Sequence, residues 1–368
     1  MIEGLYIHIP FCNTKCPYCD FVSFVNEDKS IIKKYIDTLK KELNLYLEKE
    51  LNFRLKTIYF GGGTPSLIEP EYIKDLIEFI KNNIKHESSI EITVECNPET
   101  YRYQQFKILK DAKVNRISIG NQSFLKKNLQ VLGRKHKPED TIEMIYSAVD
   151  SGIDNINLDL IYAIPNQTTD ELEFDLKRYT TLPITHISAY MLTAYENTVF
   201  GELVQNNRLT LPDEELSSKM FFLIDRFLEH NGFERYELSN WSKKGYQCKH
   251  NQGYWNHKEF LGIGVSAWSF IKNKRFGNEK NFQKYIDSLK ENKLPISFEE
   301  TLNDTEFEKE KIFLGLRTSR GIPKNIIKHE EKIVELQKNG YIKVLDDKIS
   351  LTPRGLMVIN QIVKFLID

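Results

Sequence analysis

Cys12, Cys16 and Cys19 form a Cys-x3-Cys-x2-Cys run near the start of a 368-residue chain. Three thiolates on one short loop can converge on a soft metal centre. Zinc would require a fourth protein ligand or an open catalytic position. A four-iron cluster held by three thiolates instead leaves one iron free for another ligand. The chain has five cysteines, too few over this length for a disulfide framework. That usage points to a reducing, cytoplasmic compartment. Cys96 reads as a small buried side chain, not a fourth ligand.

The elements that must position these cysteines repeat over the first 200 residues. Short runs rich in Ile, Val and Tyr alternate with charged amphipathic stretches. Strands are predicted at Leu5–Ile9, Thr57–Phe60, Ile90–Val94, Arg116–Ile119, Ile156–Ile161 and His186–Tyr190. Helices are predicted at Ile31–Lys49, Pro70–Asn82, Asp140–Ser151 and Thr169–Thr180, with Asp140 and Thr169 as N-terminal caps. In the first helix, Ile32, Ile36, Leu39, Leu43 and Leu47 form one apolar stripe. Six strand–helix units suit a parallel sheet with right-handed crossovers, as an open sheet or a full or partial barrel. Either arrangement gathers the loops after the strands on one rim. Those loops are Pro10–Cys19, Gly61–Ser66, Glu95–Pro98, Gly120–Phe124, Ile164–Gln167 and Tyr195–Asn197.

Downstream, a helix is predicted at Asp213–Asn231, a loop from Gly232 to Phe260, a strand at Leu261–Trp268 and a helix at Phe282–Asn292. Helices at Asp304–Gly315 and Ile326–Asn339, then a hairpin at Tyr341–Leu351 turning at Asp346–Asp347, suggest a small helix-plus-wing module. With 51 Lys and Arg against 52 Asp and Glu, the chain has no general electrostatic grip on nucleic acid, and no nucleic-acid partner is expected. No apolar run is long enough to span a bilayer, and the N-terminus lacks a signal-peptide pattern.

The ordered set of motifs resembles radical S-adenosylmethionine (SAM) proteins of the oxygen-independent coproporphyrinogen oxidase-like family. The matching pieces are Tyr6-Ile-His-Ile-Pro10, the cysteine run, Gly61-Gly-Gly-Thr-Pro-Ser66, Glu95-Cys-Asn-Pro98, Ile117-Ser-Ile-Gly120, Gln122-Ser-Phe124, Leu132-Gly-Arg134, Asn157-Leu-Asp-Leu160 and His250-Asn-Gln-Gly-Tyr-Trp255. The resemblance implies an α/β fold, an incomplete parallel (β/α)6 barrel over residues 1–295 with a small winged-type unit over 296–368. It also implies that Cys12, Cys16 and Cys19 hold a [4Fe–4S] cluster whose fourth iron is chelated by SAM. An electron from a separate reductant then cleaves the SAM carbon–sulfur bond, giving methionine and a 5′-deoxyadenosyl radical. By the same resemblance Gly62, Gly63 and Thr64 hold the methionyl end of SAM; Glu95 can pair with its ammonium or accept a hydroxyl hydrogen bond, and Arg134 can offer a fork of donors to its carboxylate. Gln122 and Asp159 supply further polar contacts, Asp159 on the ribose or adenine side.

Within this family the chain is similar to the haem-chaperone branch. Phe21 stands where the oxidases carry an accessory cysteine, and the first strand begins at Leu5 without their N-terminal extension. That branch has an HNxxYW signature, met here by His250, Asn251, Tyr254 and Trp255. Histidine can ligate haem iron and aromatic rings can cover the macrocycle. Cys248 is a second candidate axial ligand, and Tyr6 a candidate pocket residue. The implied function is a cytoplasmic protein with haem as cargo for a respiratory acceptor, meeting the membrane transiently through that acceptor. The alternative is oxidative decarboxylation of coproporphyrinogen III to protoporphyrinogen IX.

Overall fold

The computed structural model describes residues 1–25 and 28–367. Six strands lie side by side in chain order and all parallel: β1 (Ile2–Ile9), β2 (Phe53–Gly62), β3 (His86–Cys96), β4 (Arg116–Gln122), β5 (Ile156–Tyr162) and β6 (His186–Met191). Beyond β6 runs an antiparallel pair, β7 (Glu234–Glu237) and β8 (Asn240–Ser242). On the far side of β1 lies a further parallel strand, β9 (Phe260–Ile263). Antiparallel β10 (Trp268–Ile271), β11 (Lys274–Asn278) and β12 (Ile296–Thr301) then extend that edge. Among the described residues the outermost strands β7 and β12 do not pair with each other, so the sheet is an incomplete barrel. It nevertheless wraps far enough for Tyr190 of β6 to line one cavity with Tyr6 of β1 and Phe260 of β9.

Side-chain alternation along the strands divides two environments. Leu5, Ile7, Ile58, Phe60, Ile92, Val94, Ile117, Ile119, Leu158 and Ile187 are buried in the core. Helix Lys29–Leu47 contributes Ile32, Tyr35, Ile36, Leu39, Leu43 and Tyr46 to that core. Each such aliphatic side chain contributes roughly 1.5–3 kcal/mol on burial. The alternate positions are polar: Thr57, Glu91, Thr93, Arg116, Ser118, Asn157, His186 and Ser188 are all buried. A purely structural parallel sheet has no need of so polar an interior.

Several local expectations are corrected. The 232–260 segment is not a loop throughout: it holds β7, β8 and a helix, Lys249–Trp255. That helix is set by a distant partner, because Glu91 of β3 accepts the backbone N–H groups of Lys249 at 3.0 Å and His250 at 3.1 Å. Strand β9 ends at Ile263, and Trp268 begins the next strand. Thr168, not Thr169, caps its helix, with its hydroxyl and Glu171 forming a reciprocal pair. Asp140 lies one turn inside its helix and accepts the Lys137 N–H at 2.7 Å. At the C-terminus, Ile322–Pro323, Ile342–Leu345 and Lys348–Leu351 form a three-stranded sheet beside helices Glu330–Lys338 and Ile359–Ile367. Asp346 and Asp347, at φ 48° and 57°, make the predicted hairpin turn.

One buried carboxylate ties this scaffold together. Glu42 accepts the N–H of Gly264 at 2.8 Å, the amide of Asn278 at 2.6 Å and the hydroxyl of Tyr285 at 2.6 Å. Burial pushes its carboxyl up to about 7 from the usual 4.5. Because the folded form binds the proton more tightly, its contribution favours folding at low pH and is lost as pH rises from 4.5 to about 7. Urea midpoints across this window should show wild type losing on the order of 2 kcal/mol relative to Glu42→Gln. Parallel pH profiles would contradict this.

Candidate functional site

The cysteine loop leaves β1 at Pro10 and returns through a two-residue parallel pair, Phe11–Cys12 with Phe24–Val25. It sits over the carboxyl ends of β2 to β6. All five cysteines are free thiols. Cys12, Cys16 and Cys19 line one cavity of about 520 Å³, together with Gly62, Gly63, Thr64, Glu95, Gln122, Arg134 and Asp159. Every residue expected at the metal or SAM site therefore faces this one space. The sulfurs are not drawn into a cage: among the described residues no three His, Cys, Asp or Glu side chains are arranged to hold a metal ion.

The donor set still suits a soft metal. Burial raises the Cys12 and Cys19 thiols, and the neighbouring sulfurs add to the rise. Three thiolates this close thus need a cationic centre between them. Arg134 lies over the loop, with Nη1 at 3.8 Å from Cys16 Sγ, and Thr64 Oγ1 is 3.7 Å from Cys12 Sγ.

The glycine turn is welded to this loop by backbone. Gly63 N donates to Ile9 O at 2.8 Å and Thr64 N to Phe11 O at 2.8 Å. A Cβ on Gly63 would lie 2.7 Å from Phe11 O and 2.9 Å from Ile9 O, contacts that no rotamer relieves. Gly62 has φ 114°, and its N–H donates to Glu95 at 3.1 Å. Tyr59 donates to the other Glu95 oxygen at 2.7 Å. Burial pushes the Glu95 carboxyl up to about 7 and that of Asp159 up to about 6, while Asn157 holds Asp159 by a 2.7 Å hydrogen bond.

Gln122 is the clearest sign of an intended ligand. It adopts φ 72°, a left-handed conformation that costs about 1 kcal/mol for a non-glycine residue. A break in the β4–β5 register accompanies it. The side chain that results is buried, faces the cavity and leaves Oε1 without a hydrogen-bond partner. Asn97, Ser118 and Tyr18, which the sequence did not single out, also line this space. Asn97 fixes Arg134 through a 2.9 Å hydrogen bond to Nη2. The signal for Ser118 lay in a polar residue at an alternate position of an otherwise apolar strand, whereas Tyr18 and Asn97 lie on rim loops.

A second cavity of about 910 Å³ lies alongside, sharing Asp20, Phe21, Gly62, Glu95 and Tyr190 with the first. Tyr6, His250, Asn251 and Tyr254 face it, whereas Cys248 and Trp255 do not line it. Cys248 is fully buried against Glu91, its Sγ 3.6 Å from the carboxylate, and burial pushes its thiol up to about 12. His250 stacks on Tyr59 with ring centres 4.9 Å apart. Both its nitrogens are engaged, Nδ1 with Thr57 at 2.8 Å and Nε2 with Tyr254 at 2.7 Å. Burial lowers its pKa to about 3, so the ring is neutral. Tyr6 contacts His8 Nδ1 at 3.1 Å.

The radical SAM superfamily model matches residues 6–178. Heme chaperone HemW of Bacillus subtilis (strain 168) is 33% identical over 374 residues, covering 98% of this chain and 98% of that protein. Heme chaperone HemW of Buchnera aphidicola subsp. Schizaphis graminum is 36% identical over 384 residues, covering 99% and 98%. Among solved structures, coproporphyrinogen III oxidase (HemN) from Escherichia coli, a radical SAM enzyme, superposes with a TM-score of 0.85 at 21% identity. That match covers 99% of this chain and 90% of the oxidase, and it establishes the shared fold. With near-full-length identity above 30% to several such proteins, joined to a cysteine loop facing a glycine turn across an incomplete barrel, the chain belongs to the HemW family of radical SAM proteins.

Proposed function

We propose that this chain is a haem chaperone, holding a [4Fe–4S] cluster and SAM in the smaller cavity and haem in the larger one. The observation that carries this reading is that the two cavities adjoin, with Gly62, Glu95 and Tyr190 lining both. The relatives' description as heme chaperones supports it. Cys12, Cys16 and Cys19 would hold the cluster, and Gly62, Gly63, Thr64, Glu95, Gln122, Arg134 and Asp159 would hold SAM. When bound, the pair supplies one-electron chemistry at the SAM sulfonium. The chain orients the ligand: Arg134 offers a donor fork, Gln122 an unsatisfied acceptor and Glu95 a countercharge for an ammonium. His250, Asn251 and Tyr254 would present the haem, and Nε2 of His250 reaches iron only if its bond to Tyr254 opens.

Delivery would be to a respiratory haem protein, with the membrane met through that acceptor. Among the described residues no helix is long and apolar enough to cross a membrane. An anaerobic, cluster-reconstituted and haem-loaded sample mixed with an apo-acceptor should transfer its Soret absorbance to the acceptor. Formation of protoporphyrinogen from coproporphyrinogen III, with SAM consumed and no haem transfer, would replace this reading with the decarboxylase.

The elevated carboxyls give a pH test. A cationic ligand favours ionised Glu95 and Asp159, so binding must expel their protons where the free site retains them. Calorimetric SAM affinity should therefore rise as pH increases through about 6 to about 7 and level above. Proton release should appear below that plateau. Glu95→Gln should flatten the rise, and an unchanged slope in that variant would count against its role.

A further inference from the structure

The larger cavity joins an aromatic wall to two lysines that, among the described residues, stand outside any ion pair. Tyr6, Tyr59, Tyr254, Phe260, Trp268 and Phe270 supply rings on which a flat apolar system can lie. Three carboxylates reach this space: Glu310 is ion-paired, whereas Asp20 and Glu95 are held by neutral donors, and none lies within ion-pair distance of a lysine of the lining. Asp20 accepts from the Asn197 amide at 2.5 Å. Glu95 accepts from Tyr59 and Gly62. Glu310 takes the Arg275 guanidinium at 2.9 Å and lies 3.5 Å from His257. Arg275 is thereby neutralised, with Glu300 also 3.9 Å away.

Lys258 and Lys280 are different. Both line the cavity and both are exposed. Among the described residues neither has a carboxylate within ion-pair distance. Lys258 has its backbone fixed, its N–H donating to Gly253 O at 2.9 Å directly after the helix that carries His250 and Tyr254. Lys280 follows β11 at Glu279, whose N–H is tied to Pro295 O at 2.8 Å. Two unpaired ammonium groups on anchored backbone beside an aromatic wall match a planar apolar ligand that carries two carboxylates. A neutral macrocycle would use the wall and leave both charges idle.

Resting on the haem-chaperone reading, we infer that Lys258 and Lys280 recognise the two propionate carboxylates of the cargo. They would thus set its orientation and its preference for dianionic tetrapyrroles. The test is Soret titration of the cluster-loaded protein with haem and with haem dimethyl ester, which keeps the macrocycle and removes both charges. Wild type should bind haem about tenfold more tightly than the ester at low salt, with the gap narrowing as salt rises. Lys258→Ala/Lys280→Ala should lose about tenfold in haem affinity and leave ester affinity unchanged. Lys258→Arg/Lys280→Arg should restore the preference for haem. Equal binding of haem and ester by wild type, or a double alanine variant that still prefers haem, overturns the inference while leaving haem carriage intact. A wild type that binds neither compound overturns both.

Discussion

Cys16→Ser should leave the chain folded and without its cluster. After anaerobic reconstitution, iron and sulfide should fall from about four of each per chain to well below one. Serine keeps the size of the side chain and removes the soft thiolate that iron requires. Cys16 is half-buried, and its Sγ meets the Arg134 guanidinium, so loss of the thiolate costs little packing. Far-UV circular dichroism and the unfolding midpoint of the metal-free protein should stay near those of wild type. Cys96→Ala is the control. Cys96 borders the same cavity as Cys16 but is buried, with its Sγ 3.8 Å from Val94 O, and its removal should leave iron content intact. Equal iron loss in both variants would mean that the effect lies in the fold.

Gly63→Val should abolish cluster retention and SAM binding together, weakening SAM by more than about a hundredfold, or roughly 3 kcal/mol. The substituent meets two backbone carbonyls of the cysteine loop, at 2.7 and 2.9 Å. Relief requires the Gly63 and Thr64 N–H groups to release Ile9 and Phe11. The loop and the ligand-binding turn would then separate. Gly253→Ala, where a new Cβ meets nothing within 4 Å, should retain both ligands. Dialysis with radiolabelled SAM, alongside iron analysis, reads both outcomes. Retention of SAM with iron lost would show that the two loops act independently.

Much of this arrangement was legible from residue types. Apolar runs located the six consecutive parallel strands β1 to β6, because burial of their outer faces demands Ile, Leu and Val whatever the tertiary detail. The cysteine spacing and the glycine turn marked one rim for the same reason that strand ends collect loops. What remained hidden depended on distant partners. Helix Lys249–Trp255 owes its N-terminal satisfaction to Glu91, more than 150 residues away, and no local pattern encodes that. The backbone conformation of Gln122 arises from a register break with β5, and the contact of Asn97 with Arg134 from two separate rim loops. Cys248 illustrates the opposite error. Its place beside an HNxxYW run suggested an iron ligand, but the helix start turns its sulfur towards Glu91 and away from the cavity.

The adjoining cavities make joint occupancy the decisive property. Haem titration of the anaerobically reconstituted protein, with iron and sulfide counted on the same sample, measures it directly. The expected endpoint is one haem per chain alongside about four cluster irons and four sulfides. Haem that enters only as the cluster is lost, or a fully loaded chain that takes up no haem, would contradict the account.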